Sequence, residues 1–295
     1  MATANTYTAT GRDYSTISPS ARALLFMKGY TTIPYAREAA ALLADTDTIL
    51  DYDTTESFTF WARVLHFEKR YRCINQLLWE LPVKNILELC SGFSFRGLDA
   101  IQHKNLHYID TDLPGVIALK KDFITALQQQ PPAAGSTLEI MPLNALDAAQ
   151  VYATASSFDE GPVSIVNEGL LMYLDVQEKK QLCTIIHNIL GRRGGYWITA
   201  DIYVKNKYAT PGRTPEGQLN SFFEEHRITE KMFNSFEEAE LFFNNAGFVI
   251  DKEANTDTAT LSAWPSLLQH ATDGQLYKLQ KAARLQTTWR LKLAD

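Results

Sequence analysis

Asn85-Ile86-Leu87-Glu88-Leu89-Cys90-Ser91-Gly92 runs from a short, mostly aliphatic stretch into a turn of small residues. Such a run, bounded by a turn, predicts a strand buried on both faces that feeds a helix. Downstream, His107-Tyr108-Ile109-Asp110 predicts a second strand, Leu138 to Pro142 a third, Val163 to Asn167 a fourth and Gly195 to Ile202 a fifth. Between them, Pro114 to Gln129 carries Pro at its first helical position, and Gln177 to Leu190 has amphipathic helical spacing. Strands alternating with helices imply βαβ units, hence an α/β fold with a mostly parallel sheet and helices on both faces.

Working outward, three extra helices precede the first strand. Ser18-Pro19-Ser20 opens one that Gly29 stops; Pro34 opens another through Ala44. The third covers Ser57 to Leu81, with Phe60, Val64, Phe67, Tyr71, Ile74, Leu77 and Leu78 at helical spacing. Beyond Val204 the pattern breaks. Residues 205–230 read as an insertion or lid, and Ser235 to Asn245 as a helix. Phe248 to Ile250 and Thr258 to Trp264 are expected to pair as an antiparallel hairpin at the sheet edge, and Ser266 to Leu291 to be mostly helical. No linker separates two units, so residues 1–295 read as a single domain whose first 17 residues form a loose arm.

The 295 residues are 45% hydrophobic and carry a formal net charge of -6. That balance disfavours a nucleic-acid partner, which needs a basic face. Cys73, Cys90 and Cys183 show no CxxC spacing, which points to a reducing compartment. There is no apolar signal segment and no run of the ~18 apolar residues a membrane span requires. A soluble, cytoplasmic chain is expected. The six histidines show no HExxH spacing, so no metal site is expected. The same histidines fall in none of the segments placed at strand ends.

In an open parallel sheet, ligands bind beyond the carboxyl ends of the strands. The turn Cys90-Ser91-Gly92-Phe93-Ser94-Phe95-Arg96-Gly97 should lie there, with Gly92 admitting close approach. Asp110 and Asp112 follow Gly92 by 18 and 20 residues, near the offset of an acid that grips a ribose. Either acid could instead cap the helix begun by Pro114. The turn lacks the GxGxxG fingerprint, and these features alone fit NAD and S-adenosylmethionine equally.

Four segments carry a more specific resemblance. Tyr108-Ile109-Asp110-Thr111-Asp112-Leu113-Pro114 and Asn167-Glu168-Gly169-Leu170-Leu171-Met172-Tyr173-Leu174 resemble two motifs of the leucine carboxyl methyltransferase family, including its bacterial polyketide-tailoring members. Lys69-Arg70-Tyr71-Arg72 is similar to the family's arginine helix, and Ser20-Ala21-Arg22 leading to Gly29-Tyr30 and Pro34-Tyr35 to its N-terminal helix and turn. Order and spacing agree from Ser18 to Leu190.

The resemblance implies a seven-stranded class I methyltransferase sheet with an antiparallel last hairpin, and S-adenosylmethionine as cofactor. It implies that Arg22 and Arg70 hold the methionyl carboxylate, Asp112 the ribose, and Glu168 the amino-acid portion. Asn144 falls where the family has an Asp, and Ala145-Leu146 stands in place of its Asp-Leu near the adenine. The full cofactor-facing set it implies adds Glu88, Cys90, Gly92, Asp110 and Gly169. Tyr173 and Tyr203 are expected to face substrate, with Tyr208 and Trp264 as further candidates. One departure stands out. The family has Gly-x-Gly where this chain has Cys90-Ser91-Gly92, so a positive φ at the first position would strain Cys90. The implied reaction is methyl transfer to a carboxylate or hydroxyl of a small molecule. The alternatives are methylation of a protein C-terminal carboxylate and catalytically silent binding.

Overall fold

The computed structural model describes residues 18–44, 57–82, 84–128, 130–205 and 224–294. Seven strands form one sheet: β1 Asn85–Leu89, β2 His107–Asp112, β3 Thr137–Pro142, β4 Val163–Asn167, β5 Gly195–Tyr203, β6 Phe248–Glu253 and β7 Gln286–Leu293. Their spatial order is β3-β2-β1-β4-β5-β7-β6. The first five run parallel, and β7 pairs antiparallel with both β5 and β6. This is the class I methyltransferase arrangement that the sequence led one to expect.

Strand residues alternate between two cores, as the pleat requires. Leu87, Leu89, Ile109, Ile165 and Trp197 pack on one face against α6 (Ala148–Ser156), α7 (Val176–Arg193) and the helix Phe236–Asn245. Their chain neighbours Ile86, Tyr108, Val166 and Ile198 pack on the other. There they meet α2 (Ala36–Ala44), α3 (Phe58–Trp79), α4 (Arg96–His103) and α5 (Pro114–Leu127). The N-terminal helix α1, Ser18–Lys28, lies against α2 and α3. Local capping agrees with the sequence: Ser57 caps α3, and Asp175 with Glu178 forms a capping box on α7.

The C-terminal third departs from expectation. Thr258–Thr260 is one turn of 3-10 helix, followed by the helix Trp264–Gln269, so the expected second hairpin strand is absent there. The partner of β6 is β7, drawn from the stretch read as helical; of that stretch only its start, within the helix Trp264–Gln269, and Asp273–Lys281 are helix. The tail Trp289-Arg290-Leu291-Lys292-Leu293 alternates apolar and basic residues with the period of two of a strand, a signal the helical reading passed over. β7 inserts between β5 and β6, and Arg290 finds Asp251 at 2.6 Å and the Leu77 carbonyl at 2.9 Å. The alternation marks the strand, whereas the choice of its two partners is nonlocal. Of the expected lid, residues 206–223 lie outside the described ones. Ile228 at its far end is fully buried against Met172 and Tyr173. Among the described residues no helix is long and apolar enough to cross a membrane.

Candidate functional site

The sheet order reverses between β1 and β4, and the crevice at the carboxyl ends of these strands is where a ligand belongs. A cavity opens there. Its walls come from α1 (Ala21, Leu24, Leu25, Lys28), α3 (Phe67, Arg70) and the turn 90–94 after β1. Asp112 ends β2, Asn144-Ala145-Leu146 follows β3, and residues 168–174 follow β4.

The turn after β1 begins with Cys90 at φ +53° and continues to Gly92, also at φ +53°. Cys90 thus occupies the left-handed conformation that its glycine counterpart would adopt without strain. Its neighbours hold the turn closed: the Ser91 amide donates to the Thr111 carbonyl at 2.9 Å, and the Gly92 amide to Asp112 Oδ2 at 2.7 Å. The Leu113 amide donates to Asp112 Oδ1 at 2.7 Å. Burial raises the Asp112 carboxyl pKa, against the pull of these two amides. No side chain caps α5, so neither aspartate plays the capping role.

Asp110 lies under the turn. Lys120 Nζ, itself fully buried, sits 2.6 Å from Asp110 Oδ2 and 2.8 Å from Ser91 Oγ, and the Ser91 hydroxyl also bonds Asp110. Burial lifts the Asp110 carboxyl to about 6 despite Lys120. Glu88 points away from the cavity too, into an ion pair with Arg96 and a hydrogen bond from Tyr108. These acids serve the frame that supports the site.

Three cations converge on Glu168. Lys28 Nζ lies 2.7 Å from Oε1, Arg96 Nη2 3.3 Å from Oε2, and Arg70 Nη2 3.7 Å from Oε1. Burial opposes ionisation, but Lys28, Arg70 and Arg96 outweigh it and hold the carboxyl at about 2. Arg70 is 1% exposed and lines the cavity, yet its Nε and Nη2 have no hydrogen-bond partner among the described residues. Its Nη1 donates to Tyr203 Oη at 3.1 Å. A donor left unpaired in a buried guanidinium costs on the order of 1–3 kcal/mol, which a ligand carboxylate would recover. Gly169, at φ +83°, makes room for this arginine: a Cβ there would sit 3.2 Å from Arg70 Nη2.

Of the expected residues, the structure brings Arg70, Cys90, Gly92, Asp112, Asn144, Ala145, Glu168, Gly169 and Tyr173 to the cavity wall. Glu88, Asp110, Tyr203 and Arg22 are not on it. Helix geometry accounts for the place of Arg22 off this wall. Ala21, Leu24, Leu25 and Lys28 share one face of α1 at i, i+3, i+4 and i+7, and Lys28 supplies the cation there. Trp264 packs instead beside Met27 and Phe60, and Tyr208 lies outside the described residues. Arg192 and Arg193 end α7 just before β5 begins, at the opposite edge of the sheet from the cavity.

Five residues escaped the sequence reading. Asp201 on β5 accepts the amides of Gly169, Leu170 and Leu171 at 2.6, 2.7 and 3.1 Å, and so shapes the turn after β4. Lys28, Lys120 and Arg96 are buried cations, and the first two interrupt apolar helix faces. A charge on such a face was the available signal. His66 also belongs near the site: its Nε2 lies 2.7 Å from Tyr203 Oη.

The family model described as leucine carboxyl methyltransferase matches residues 19–187. The chain belongs to the leucine carboxyl methyltransferase family. The match ends close to where the motifs fade, and every wall residue above falls within it. The family brings S-adenosylmethionine as methyl donor, and the unpaired Arg70 donors with the Gly92 and Gly169 clearances suit such a ligand. No curated protein matches the chain by sequence. Among solved structures, a duf574 family protein from Streptomyces avermitilis shares the fold at TM-score 0.50 and 14% identity, covering 94% of this chain and 97% of that one. Magnesium protoporphyrin IX methyltransferase from Synechocystis with bound SAH gives 0.47 and 9%, covering 89% and 96%. PigF with SAH gives 0.41 and 12%, covering 72% and 50%, so the chain spans about half of that protein.

Proposed function

We propose that this family member is an S-adenosylmethionine-dependent O-methyltransferase whose acceptor is a carboxylate on a small, polyketide-like molecule. The observation that carries the cofactor reading is Arg70, a buried guanidinium on the cavity wall whose Nε and Nη2 make no hydrogen bond among the described residues, Nη2 facing Glu168 and Asp201 at 3.7 and 3.6 Å. In this reading Arg70 holds the methionyl carboxylate, Asp112 accepts from the ribose, and the Asn144-Ala145-Leu146 turn flanks the adenine. Each Asp112 oxygen spends one lone pair on a backbone amide and keeps another for a hydroxyl. When bound, the cofactor supplies a methyl group on a sulfonium, which an ionised carboxylate accepts directly.

The acceptor reading rests on the state of two groups beside Arg70 among the described residues, Tyr203 and its partner His66. Burial lowers the His66 pKa to about 3 and raises that of Tyr203 to about 12, so both are neutral at pH 7. Arg70 can only donate, so Tyr203 Oη accepts from it, and the same hydroxyl shares a hydrogen bond with His66 Nε2. An imidazole held at so low a pKa is a poor base at neutral pH. A phenol, with its pKa near 10, needs a base; a carboxylate, near 4, arrives ionised. Leu24, Phe67, Met172 and Tyr173 give the cavity an apolar wall that excludes water and aligns the acceptor.

The test is incubation with methyl-labelled S-adenosylmethionine and a panel of aromatic and polyketide-like acids beside their phenol analogues. Esters release labelled methanol in mild alkali, and that release from the acids is expected. Alkali-stable label on the phenols alone overturns the carboxylate reading. Tight cofactor binding without label on any small molecule or on a peptide C-terminus favours a silent binding protein.

A further inference from the structure

Amino-acid ligands carry two charges, and the cavity treats them unequally. Arg70 offers unpaired donors to a carboxylate. The acids on the wall are Asp112 and Glu168, and Asp112 stands with the turn after β1, so Glu168 is the counter-ion available to an ammonium near Arg70. That carboxylate is already spoken for. Lys28 Nζ sits at hydrogen-bond distance on Oε1, Arg96 holds Oε2, and Arg70 adds a third positive charge.

Lys28 is built into this position. Its ammonium lies 5.6 Å from the centre of the Tyr71 ring, whose face also holds the Arg96 guanidinium at 4.4 Å. Tyr71 is fully buried, and Lys28 itself is 6% exposed. The Lys28 carbonyl, in turn, accepts from Thr31 Oγ1 at 2.6 Å, which anchors the end of α1. A second ammonium brought to Glu168 would meet Lys28, Arg70 and Arg96 at close range, and like charges so placed oppose its binding.

We propose that Lys28 takes, from within the chain, the place on Glu168 that a ligand ammonium would fill, so that the cavity selects S-adenosyl ligands by their carboxylate and is indifferent to their α-amino group. This rests on the S-adenosyl reading above. Lys28 is then a specificity-determining residue: compounds whose amino group is absent or acylated are accommodated as well as the parent, provided the carboxylate remains.

Titration calorimetry decides it with S-adenosylhomocysteine, its analogue lacking the α-amino group, and its analogue lacking the α-carboxyl group. The wild-type protein should bind the first two within fivefold of one another and the third at least fivefold more weakly. In Lys28→Met, Glu168 becomes available, and the preference for S-adenosylhomocysteine over the deaminated analogue should rise at least fivefold. A wild-type preference of fivefold or more for the amino-bearing ligand overturns the proposal, and needs no variant. An unchanged ratio in folded Lys28→Met overturns it as well. Failure of all three compounds to bind the folded wild-type protein removes the S-adenosyl reading itself.

Discussion

Gly92 and Asp112 are joined across the ends of β1 and β2 by a 2.7 Å hydrogen bond from the glycine amide to Oδ2. One carboxylate therefore both closes the turn under the ligand cavity and presents its remaining lone pairs to the cavity. Gly92, at φ +53°, reaches this position because no side chain resists it.

Asp112→Asn keeps the shape and removes the charge, and its amide nitrogen would face a backbone donor. The affinity for S-adenosylhomocysteine should fall ten- to hundredfold, corresponding to about 1.5–3 kcal/mol for a charged hydrogen bond. Calorimetry measures it, with circular dichroism confirming that the fold survives. Unchanged affinity would place the ribose elsewhere.

Arg70 and Arg72 are two residues apart on α3 but differ in surroundings. Arg72 is about a third exposed and donates to the Thr32 carbonyl and Oγ1 at 3.0 and 2.9 Å, away from the cavity. Arg70→Gln should weaken S-adenosylhomocysteine binding at least tenfold, and Arg72→Gln by less than twofold. The reverse ranking in calorimetry would assign the carboxylate contact to the wrong arginine.

Cys90 at positive φ stores strain on the order of 1–3 kcal/mol. Glycine relieves it but costs about 0.5–1 kcal/mol of unfolded-chain entropy. Cys90→Gly should therefore stabilise the protein by about 1 kcal/mol in urea unfolding. The bonds of Ser91 to Asp110 and Lys120 hold the strained turn, so Ser91→Ala should cost more beside Cys90 than beside a glycine. Additive effects in that double-mutant cycle would separate the two features.

Acid should unfold the protein in two windows. His66 has a folded pKa of about 3 against 6.5 ordinarily, because burial, then Arg70, disfavours its charged form. Its stabilising contribution is complete above pH 6.5 and is lost as pH falls toward 3. Glu168 has a folded pKa of about 2 against 4.5, so its contribution is complete above 4.5 and is lost as pH falls toward 2. The latter amounts to about 3 kcal/mol. Urea unfolding of His66→Gln should be flatter between pH 6.5 and 5, and of Glu168→Gln flatter below pH 4.5. Slopes matching wild type would show that neither group is held as described.

Much of this protein is legible from local sequence. The strands 85–89 and 163–167 are buried throughout and mostly aliphatic because both faces are covered, and such a strand has no solvent-facing side to confuse its reading. The helices announce themselves by period, proline and cap. The motifs around Asp112 and Glu168 place the ligand end of the sheet, since parallel strands deliver their carboxyl ends to one edge. What the sequence alone could not decide is which of its charged residues meet. Glu88 and Asp110 look as eligible as Asp112, and Arg22 more eligible than Lys28. The burial of Lys120 beneath the turn turns Asp110 inward, and the rotation of α1 brings Lys28 to Glu168 while Arg22 stays off the cavity wall. The alternation of Trp289, Leu291 and Leu293 with Arg290 and Lys292 marks a strand in the sequence, but its insertion between β5 and β6 was settled by segments distant in the chain. Local pattern sets which segments form helix or strand, whereas the pairing of buried charges and edge strands depends on distances between segments, which exist only once the chain has packed.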